Sequence, residues 1–139
     1  MAVKIRPAGR GPALLFVSTH LDHTREENER LRQAARLNEL FAKDHEGPVI
    51  LAGDLNAVPQ SKPMQNLFGL WTDAAAANPQ PTISSEKPRS RIDYVLFRPQ
   101  SGWRVIETRV LDEPVASDHR PLLAVLAVPE ELPQDSPAE

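Results

Sequence analysis

Residues 49–56 read Val-Ile-Leu-Ala-Gly-Asp-Leu-Asn, an apolar run that ends in a glycine and two polar side chains. A continuous apolar run bounded by Gly47-Pro48 and Gly53 is typical of a strand covered on both faces. Such a strand delivers Asp54 and Asn56 to its C-terminal end, where open α/β sheets keep their chemistry. Because Gly-Asp and Leu-Asn also form turns, this stretch alone fits a turn as well as a functional site.

Composition narrows the class of protein. The chain has 139 residues, 40% hydrophobic and 25% charged, which is typical of one soluble globular domain. No apolar run reaches the roughly 18 residues of a membrane span, and the N-terminus lacks the apolar stretch of a secretory signal, which favours a cytoplasmic location. The absence of cysteine excludes disulfides and a thiolate nucleophile. The net charge of −3 gives no indication of nucleic-acid binding, although it leaves that possible.

The chain divides into a lead-in, one domain and a tail. Residues 1–12 are basic and rich in Gly and Pro, and we expect a flexible lead-in. Residues 129–139 are acidic and proline-rich, and we expect a disordered tail. Residues 13–128 then form the domain. The spacing of apolar residues predicts its elements, which are a strand over 13–19, a helix from a capping box at Thr24 to Lys43, a strand over 49–52, a short helix from Pro63 to Leu70, an ambiguous segment over 71–77, a long loop from Asn78 to Ser90, and strands over 91–98, 103–111 and 120–128.

Asp93 is the exceptional residue of the strand predicted over 91–98, because strand interiors disfavour Asp. A carboxylate removed from water needs a partner. We expect that partner to be His119, which lies on the loop that enters the last strand. A carboxylate that holds one imidazole nitrogen sets the tautomer of the other and prepares the ring for acid–base work. His45 lies in a polar helix end and is interpreted as a surface residue.

Four short motifs occur in the order and at the intervals of one known family. Together they resemble the endonuclease/exonuclease/phosphatase superfamily, whose members have a deoxyribonuclease I-like fold. Each motif is weak alone, but four that follow one another at or within predicted strands form a specific signature. The motifs are Ser18-Thr19-His20-Leu21, Gly53-Asp54-Leu55-Asn56, Arg91-Ile92-Asp93-Tyr94-Val95-Leu96 and Ser117-Asp118-His119-Arg120-Pro121-Leu122.

The resemblance implies a divalent-metal-dependent phosphoesterase of the α/β class. The implied fold is the second half of a deoxyribonuclease I-like sandwich, with one mixed sheet and flanking helices. Mg²⁺ or Mn²⁺ is the implied cofactor and a phosphoester the implied substrate. The implied catalytic residues are His20, Asp54, Asn56, Asp93 and His119, and the implied metal ligands are Asp118, Asn56 and Asp54.

Each of these residues has an implied role. Asp54 would orient or deprotonate the attacking water, and Asn56 would hold phosphate and metal. Asp118 would ligate or position the cation. His119, steered by Asp93, would face the phosphoryl oxygens, and His20 would be the second histidine.

The resemblance covers only the second half of the family's usual length. The first half normally supplies a metal-binding glutamate, and residues 1–12 do not offer a strand followed by one. We therefore expect a partial domain with reduced activity. One sheet face should lack its partner sheet, which predicts a homodimer or the binding of a missing half.

Two alternatives to a phosphoesterase stay open at this point. The first is a non-catalytic half-domain that self-associates or binds a partner. The second, less favoured, is a zinc hydrolase of the metallo-β-lactamase type. It rests on His20, Asp22 and His23, although Ser18 stands where that motif has its first histidine.

Overall fold

The computed structural model describes residues 1–6, 12–43, 45 and 47–128. Strands and helices alternate along the first half of the chain, and a β-hairpin follows the main sheet. In chain order the elements are β1 (Ala2–Ile5), β2 (Leu14–His20), α1 (Asn28–Asn38), a π-helical turn (Glu39–Lys43), β3 (Val49–Asp54), α2 (Lys62–Phe68), β4 (Thr72–Asp73), β5 (Asp93–Arg98), β6 (Arg104–Val110) and β7 (Leu122–Ala127).

The main sheet is mixed and has five strands in the order β1-β2-β3-β5-β4. The pair β2 and β3 is parallel, as the strand–helix–strand pattern predicts, and every other neighbouring pair in this sheet is antiparallel. The predicted α/β class with a mixed sheet is therefore confirmed. The expectation of a single sheet was wrong in one respect, because β6 and β7 pair with each other in a separate two-stranded sheet.

The two helices cover one face of the main sheet. Strand alternation places Val17, Leu51 and Leu96 on this face, and all three are buried. They join a single hydrophobic core with side chains from the helices and the loops beside them, including Ala34, Met64, Leu67 and Trp71. This core holds β2, β3 and β5 in register, and the register sets the positions of the residues at their ends.

The opposite face of the main sheet borders an apolar cleft beneath the β6–β7 hairpin. The cleft has a volume of about 570 Å³. Phe16, Ile50 and Val95 line it from the sheet, and Leu122 to Leu126 line it from β7. The hairpin therefore leaves part of this apolar face open.

The lead-in expected over residues 1–12 contains a strand, so that prediction was wrong for its first part. Residues Ala2–Ile5 pair with β2 in antiparallel register, with Ala2 opposite Val17. All four side chains are exposed, so the strand forms through backbone pairing with β2 and not through burial. That kind of pairing leaves no hydrophobic pattern in the sequence. Residues 7–11 of the lead-in and the tail predicted over 129–139 lie outside the described residues.

The first helix begins four residues later than its predicted capping box. Thr24 directs its hydroxyl to the carboxylate of Asp22 instead of to a helix amide. Arg30 donates to the backbone oxygens of Asp22 and Thr24, at 3.2 and 2.5 Å. These contacts favour a loop over residues 22–26, and α1 starts at Asn28 with Glu27 as its N-cap.

The ambiguous segment over 71–77 forms the short strand β4 and then a turn. The stretch from Asn78 to Ser90 forms no helix and no strand longer than an isolated bridge, as the long loop predicted there requires. Among the helices of the described ranges, none is both long and apolar enough to cross a membrane.

Candidate active site at one edge of the sheet

Three polar residues stand side by side where neighbouring strands end. His20 lies opposite Asp54 in the parallel pair β2–β3, and Asp54 lies opposite Asp93 in the antiparallel pair β3–β5. Residues paired across adjacent strands point to the same face of a sheet. The three side chains therefore form one row on the face that also borders the apolar cleft.

His119 completes the row from the loop before β7. Its Nδ1 lies 2.9 Å from Asp93 Oδ2, and its Nε2 lies 4.0 Å from Asp54 Oδ2. The predicted Asp93–His119 pair is thus present in the structure. The imidazole lies between two carboxylates and presents one ring nitrogen to each.

Opposing effects act on the pKa of His119. Burial lowers the pKa, because it disfavours the charged ring. The hydrogen bond to Asp93 raises it, as do the charges of Asp93, Asp54 and Asp118, and together these effects raise the pKa above its ordinary value. The carboxylates therefore favour the imidazolium form.

Replacing Asp93 with Asn is expected to lower the pKa of His119, because the substitution removes the charged hydrogen-bond partner. An NMR titration of the His119 ring protons measures this directly. The same titration of the unmodified protein is the reference. A His119 pKa that is unchanged in Asp93→Asn would contradict the contribution assigned to Asp93.

Asn56 connects the ends of β2 and β3. Its Nδ2 lies 3.0 Å from His20 Nε2 and 3.0 Å from the Leu21 carbonyl oxygen. Its backbone N–H donates to Asp54 Oδ1 at 2.8 Å. The residue has a φ of 48°, a left-handed conformation that Asn tolerates better than most residues. His20 Nε2 also lies 3.4 Å from Asp54 Oδ2, although its side chain is 68% exposed.

Asp118 is the predicted site residue that stands apart. It is exposed, and its Oδ1 lies 3.3 Å from the hydroxyl of Ser117. Its backbone oxygen accepts a hydrogen bond from Ser85 N–H at 2.7 Å. Its role as a metal ligand stays a prediction.

The described part of the chain contains one group of three acidic or imidazole side chains that could hold a metal ion. Asp54, Asp93 and His119 each offer one ligand atom, and these atoms lie within 4.8 Å of one another. The carboxylate oxygens of Asp54 and Asp93 suit a hard divalent cation, whereas the His119 imidazole could ligate a metal only in its neutral form. The ligand set implied by the resemblance shares only Asp54 with this group.

The zinc-hydrolase alternative finds no support in the geometry. His20, Asp22 and His23 do not form a group of converging ligand atoms within the described ranges. The Asp22 carboxylate instead accepts bonds from the amide and hydroxyl of Thr24. The carboxylate that this motif would offer to zinc is thus engaged in a local turn.

A buried ion pair supports β5 behind the site. Arg91 Nη2 lies 2.5 Å from Asp73 Oδ1, and the guanidinium stacks 4.5 Å from the centre of the Tyr94 ring. The Tyr94 hydroxyl donates to the backbone oxygen of Ala57 at 2.8 Å. Burial raises the pKa of Tyr94, so it stays a neutral hydrogen-bond donor. These contacts tie β5 to the chain that follows β3.

Sequence reasoning missed the residues that connect the separate parts of the site. Thr82 and Ser85 lie in the long loop, both are buried, and both bond to segments that carry site residues. Their setting among Pro, Ser and Lys residues predicts only a solvated loop. No local pattern marks such residues, because their partners are distant in sequence.

The fold is of the α/β class, and two carboxylates and an imidazole lie together at one edge of its sheet. Side chains of these types can take part in acid–base or metal-assisted chemistry. Comparison with protein families makes this class more specific. The family described as Endonuclease/Exonuclease/phosphatase matches residues 2–119. The chain belongs to this family, as the four motifs indicate. A comparison with curated proteins gives no match.

Solved structures show the same fold. A functionally unknown conserved protein from Enterococcus faecalis has a TM-score of 0.77 at 27% identity, over 91% of this chain and 55% of that one. A family protein from Bacteroides vulgatus has a TM-score of 0.76 at 23% identity, over 91% of this chain and 54% of that one. A mannosyl-6-phosphatase from Bacteroides thetaiotaomicron has a TM-score of 0.67 at 22% identity, over 83% of this chain and 51% of that one. The chain thus spans about half the length of these solved relatives.

Proposed function

We propose that this protein is a phosphoesterase that hydrolyses phosphodiesters or phosphomonoesters. The observation that supports the proposal is the row of His20, Asp54 and Asp93 with His119 seated between the two carboxylates. Membership of a family that includes nucleases and phosphatases agrees with it. The net charge of −3 does not favour nucleic acid over other phosphoesters.

His119 and Asp54 have different roles in the proposed reaction. His119 is held at Nδ1 by Asp93, so its Nε2 is free to donate to a phosphoryl oxygen when the ring is protonated. A raised pKa keeps more of the ring protonated near neutral pH, which suits a group that faces negative charge. Asp54 lies 4.0 Å from that nitrogen and would orient or deprotonate the attacking water.

Asn56 and His20 complete the proposed site. The side chain of Asn56 is held in place by its contacts with the Leu21 carbonyl and His20. Its Nδ2 would donate to a phosphate oxygen in exchange for the contact with His20. His20 is exposed and presents a second imidazole to the substrate side. Asp118 lies next to His119 and would help to position the cation.

The proposed cofactor is Mg²⁺ or Mn²⁺, held by Asp54 and Asp93 with His119 beside them. When bound, such a cation supplies charge neutralisation for the phosphoryl group. Mg²⁺ demands octahedral coordination by oxygen, and two carboxylates leave most positions to water. We therefore expect this chain to bind the cation weakly and to turn over slowly.

Hydrolysis of bis-p-nitrophenyl phosphate and p-nitrophenyl phosphate tests the proposal. With Mg²⁺ or Mn²⁺ we expect release of nitrophenolate above the buffer rate, lost on addition of EDTA. No release from either compound at any metal concentration would overturn the proposed function for this chain. Fast turnover at low Mg²⁺ would instead contradict the expected weak cation binding.

A non-catalytic, self-associating module is the second candidate, and the open apolar face favours it. Phe16, Ile50 and Val95 line a cleft that the hairpin covers only in part. Val105, Ile106 and Val125 of the hairpin are exposed as well. Val125 also lines the cleft, and exposed apolar surface at a cleft is typical of contact sites between polypeptides.

We expect the isolated chain to form a symmetric dimer through this face, because in a solution of one protein the available partner is a second copy. Light scattering over a range of concentrations measures the mass. A Val125→Glu variant should shift the population towards monomer, while Leu70→Glu, an exposed apolar position at the end of α2, should not. A stable monomer at high concentration would reject the dimer.

A further inference from the structure

Thr82 lies at a buried joint between the two segments that supply Asp93 and His119. Its side chain has no exposed surface. Its Oγ1 lies 3.3 Å from the Ile92 amide nitrogen and 3.4 Å from that of Asp93. Its backbone oxygen accepts from Arg120 N–H at 2.7 Å, next to His119. One residue is thus bonded to both sides of the carboxylate–imidazole pair.

The start of β5 needs an acceptor from outside the sheet. Strand β4 pairs with β5 only at Phe97 and Leu96, so on that side the first residues of β5 have no strand partner in the described part of the chain. The Thr82 hydroxyl accepts there in place of a strand carbonyl. This hydrogen bond is part-buried, and an amide shielded from water without an acceptor is costly, so the hydroxyl fixes where the backbone of Asp93 lies.

The neighbouring residues hold the His119 loop in the same way. Ile83 pairs with His119 as an isolated bridge. Ser85 N–H donates to the Asp118 carbonyl at 2.7 Å, and the Ser85 carbonyl accepts from Arg120 Nε at 2.6 Å. Residues 82–85 therefore form a strap that fixes the loop, and Thr82 joins this strap to β5.

We propose that Thr82 is a positioning residue that holds Asp93 and His119 at hydrogen-bonding distance through its hydroxyl. The two members of the pair are 26 residues apart in sequence and lie on different elements. Their 2.9 Å contact depends on how the two segments are placed relative to each other. Small displacements of reacting groups lower reaction rates strongly. Loss of the Thr82 hydroxyl should therefore lower turnover substantially, although Thr82 does not touch substrate.

The test compares Thr82→Val with Thr82→Ser. Valine keeps the shape of the side chain and removes the acceptor, whereas serine keeps the hydroxyl. In Thr82→Val we expect faster hydrogen exchange at the Asp93 amide. We also expect the downfield NMR resonance of the His119 Nδ1 proton, which reports the bond to Asp93, to move upfield or to broaden. Thr82→Ser should restore both signals.

The kinetic part of the inference rests on the proposed function. In Thr82→Val we expect kcat for bis-p-nitrophenyl phosphate to fall by up to about 100-fold with KM unchanged. Thr82→Ser should recover most of the rate. The NMR signals need no substrate, so failure of the proposed function and failure of the positioning role are separable.

Thr108→Val on β6 is the matched control, because it removes a hydroxyl from the hairpin and leaves the site alone. An unchanged His119 resonance in folded Thr82→Val would overturn the proposal, and so would an equal loss in Thr82→Ser. If Thr82→Val does not fold, hydrogen exchange at the Asp93 amide of the unmodified protein tests the proposal instead. An Asp93 amide that exchanges there as fast as an exposed amide would show that the hydroxyl does not hold it.

Discussion

Replacing His119 with Ala is expected to lower the proposed metal-dependent hydrolysis of bis-p-nitrophenyl phosphate by about two to four orders of magnitude, the usual contribution of a positioned acid or base. The His119 imidazole lies between the two carboxylates of the candidate site. Its Nδ1 is 2.9 Å from Asp93 Oδ2, and its Nε2 is 4.0 Å from Asp54 Oδ2. Its removal would take away the proposed proton donor and leave the Asp54 and Asp93 carboxylates without the imidazole between them. Asp54→Asn should cause a loss of similar size, because the amide can neither accept a proton nor carry the charge that a cation needs.

The controls for this prediction come from the same chain. His23→Ala removes an exposed histidine outside the row and should leave the rate unchanged. Circular dichroism and thermal unfolding of each variant separate a lost catalytic group from a lost fold. Hydrolysis at the wild-type rate in folded His119→Ala would remove this histidine from the proposed mechanism.

The location of the site follows from strand periodicity, and for this reason it could be predicted from the sequence. His20, Asp54 and Asp93 each stand at the end of an apolar or β-rich run. Once those runs are strands of one sheet, alternation and register leave little freedom for where the side chains point. The prediction for the Asp93–His119 pair rests on an equally general rule, since a carboxylate within a β segment needs a partner.

The remaining contacts depend on tertiary structure that leaves no local pattern. The Thr24 hydroxyl can accept a hydrogen bond from a helix amide or donate one to the Asp22 carboxylate. The sequence permits both, and the structure shows the second. Strand β1 forms by adding to the backbone edge of β2, with every side chain exposed. The strands β6 and β7 pair with each other and not with an edge of the main sheet. The apolar pattern of a strand does not specify which other strand it pairs with.

Thr82 shows the same limit inside the site. Thr82 follows Pro81 in a polar loop, a setting typical of solvated residues, yet it is buried and bonded to two segments that are distant in sequence. Burial of a loop polar group requires that its partners arrive from elsewhere in the chain. Only the assembled fold shows that Ile92, Asp93 and Arg120 supply them.

Replacing Gly53 with Ala is expected to lower the free energy of unfolding by roughly 3 kcal/mol or more, at the upper end of single substitutions. Gly53 is on the central strand β3, opposite Thr19 on one side and Tyr94 on the other. A Cβ placed on it would lie 1.8 Å from the Thr19 carbonyl oxygen and 2.9 Å from the carbonyl carbon. The obstacle is backbone and cannot rotate away, and the φ of 149° is itself one that residues with side chains rarely adopt.

The collision would lie next to the His20–Asp54 pair, so separating β2 from β3 should displace the site as well as weaken the sheet. Gly69→Ala at the end of α2 is the matched control. The nearest atom to its added Cβ is the Asn66 carbonyl oxygen at 3.5 Å, an ordinary contact, and its φ is −62°. Urea unfolding of both variants measures the difference. If Gly53→Ala were as stable as Gly69→Ala, the close approach of β2 and β3 at this residue could not be what requires a glycine ahead of Asp54.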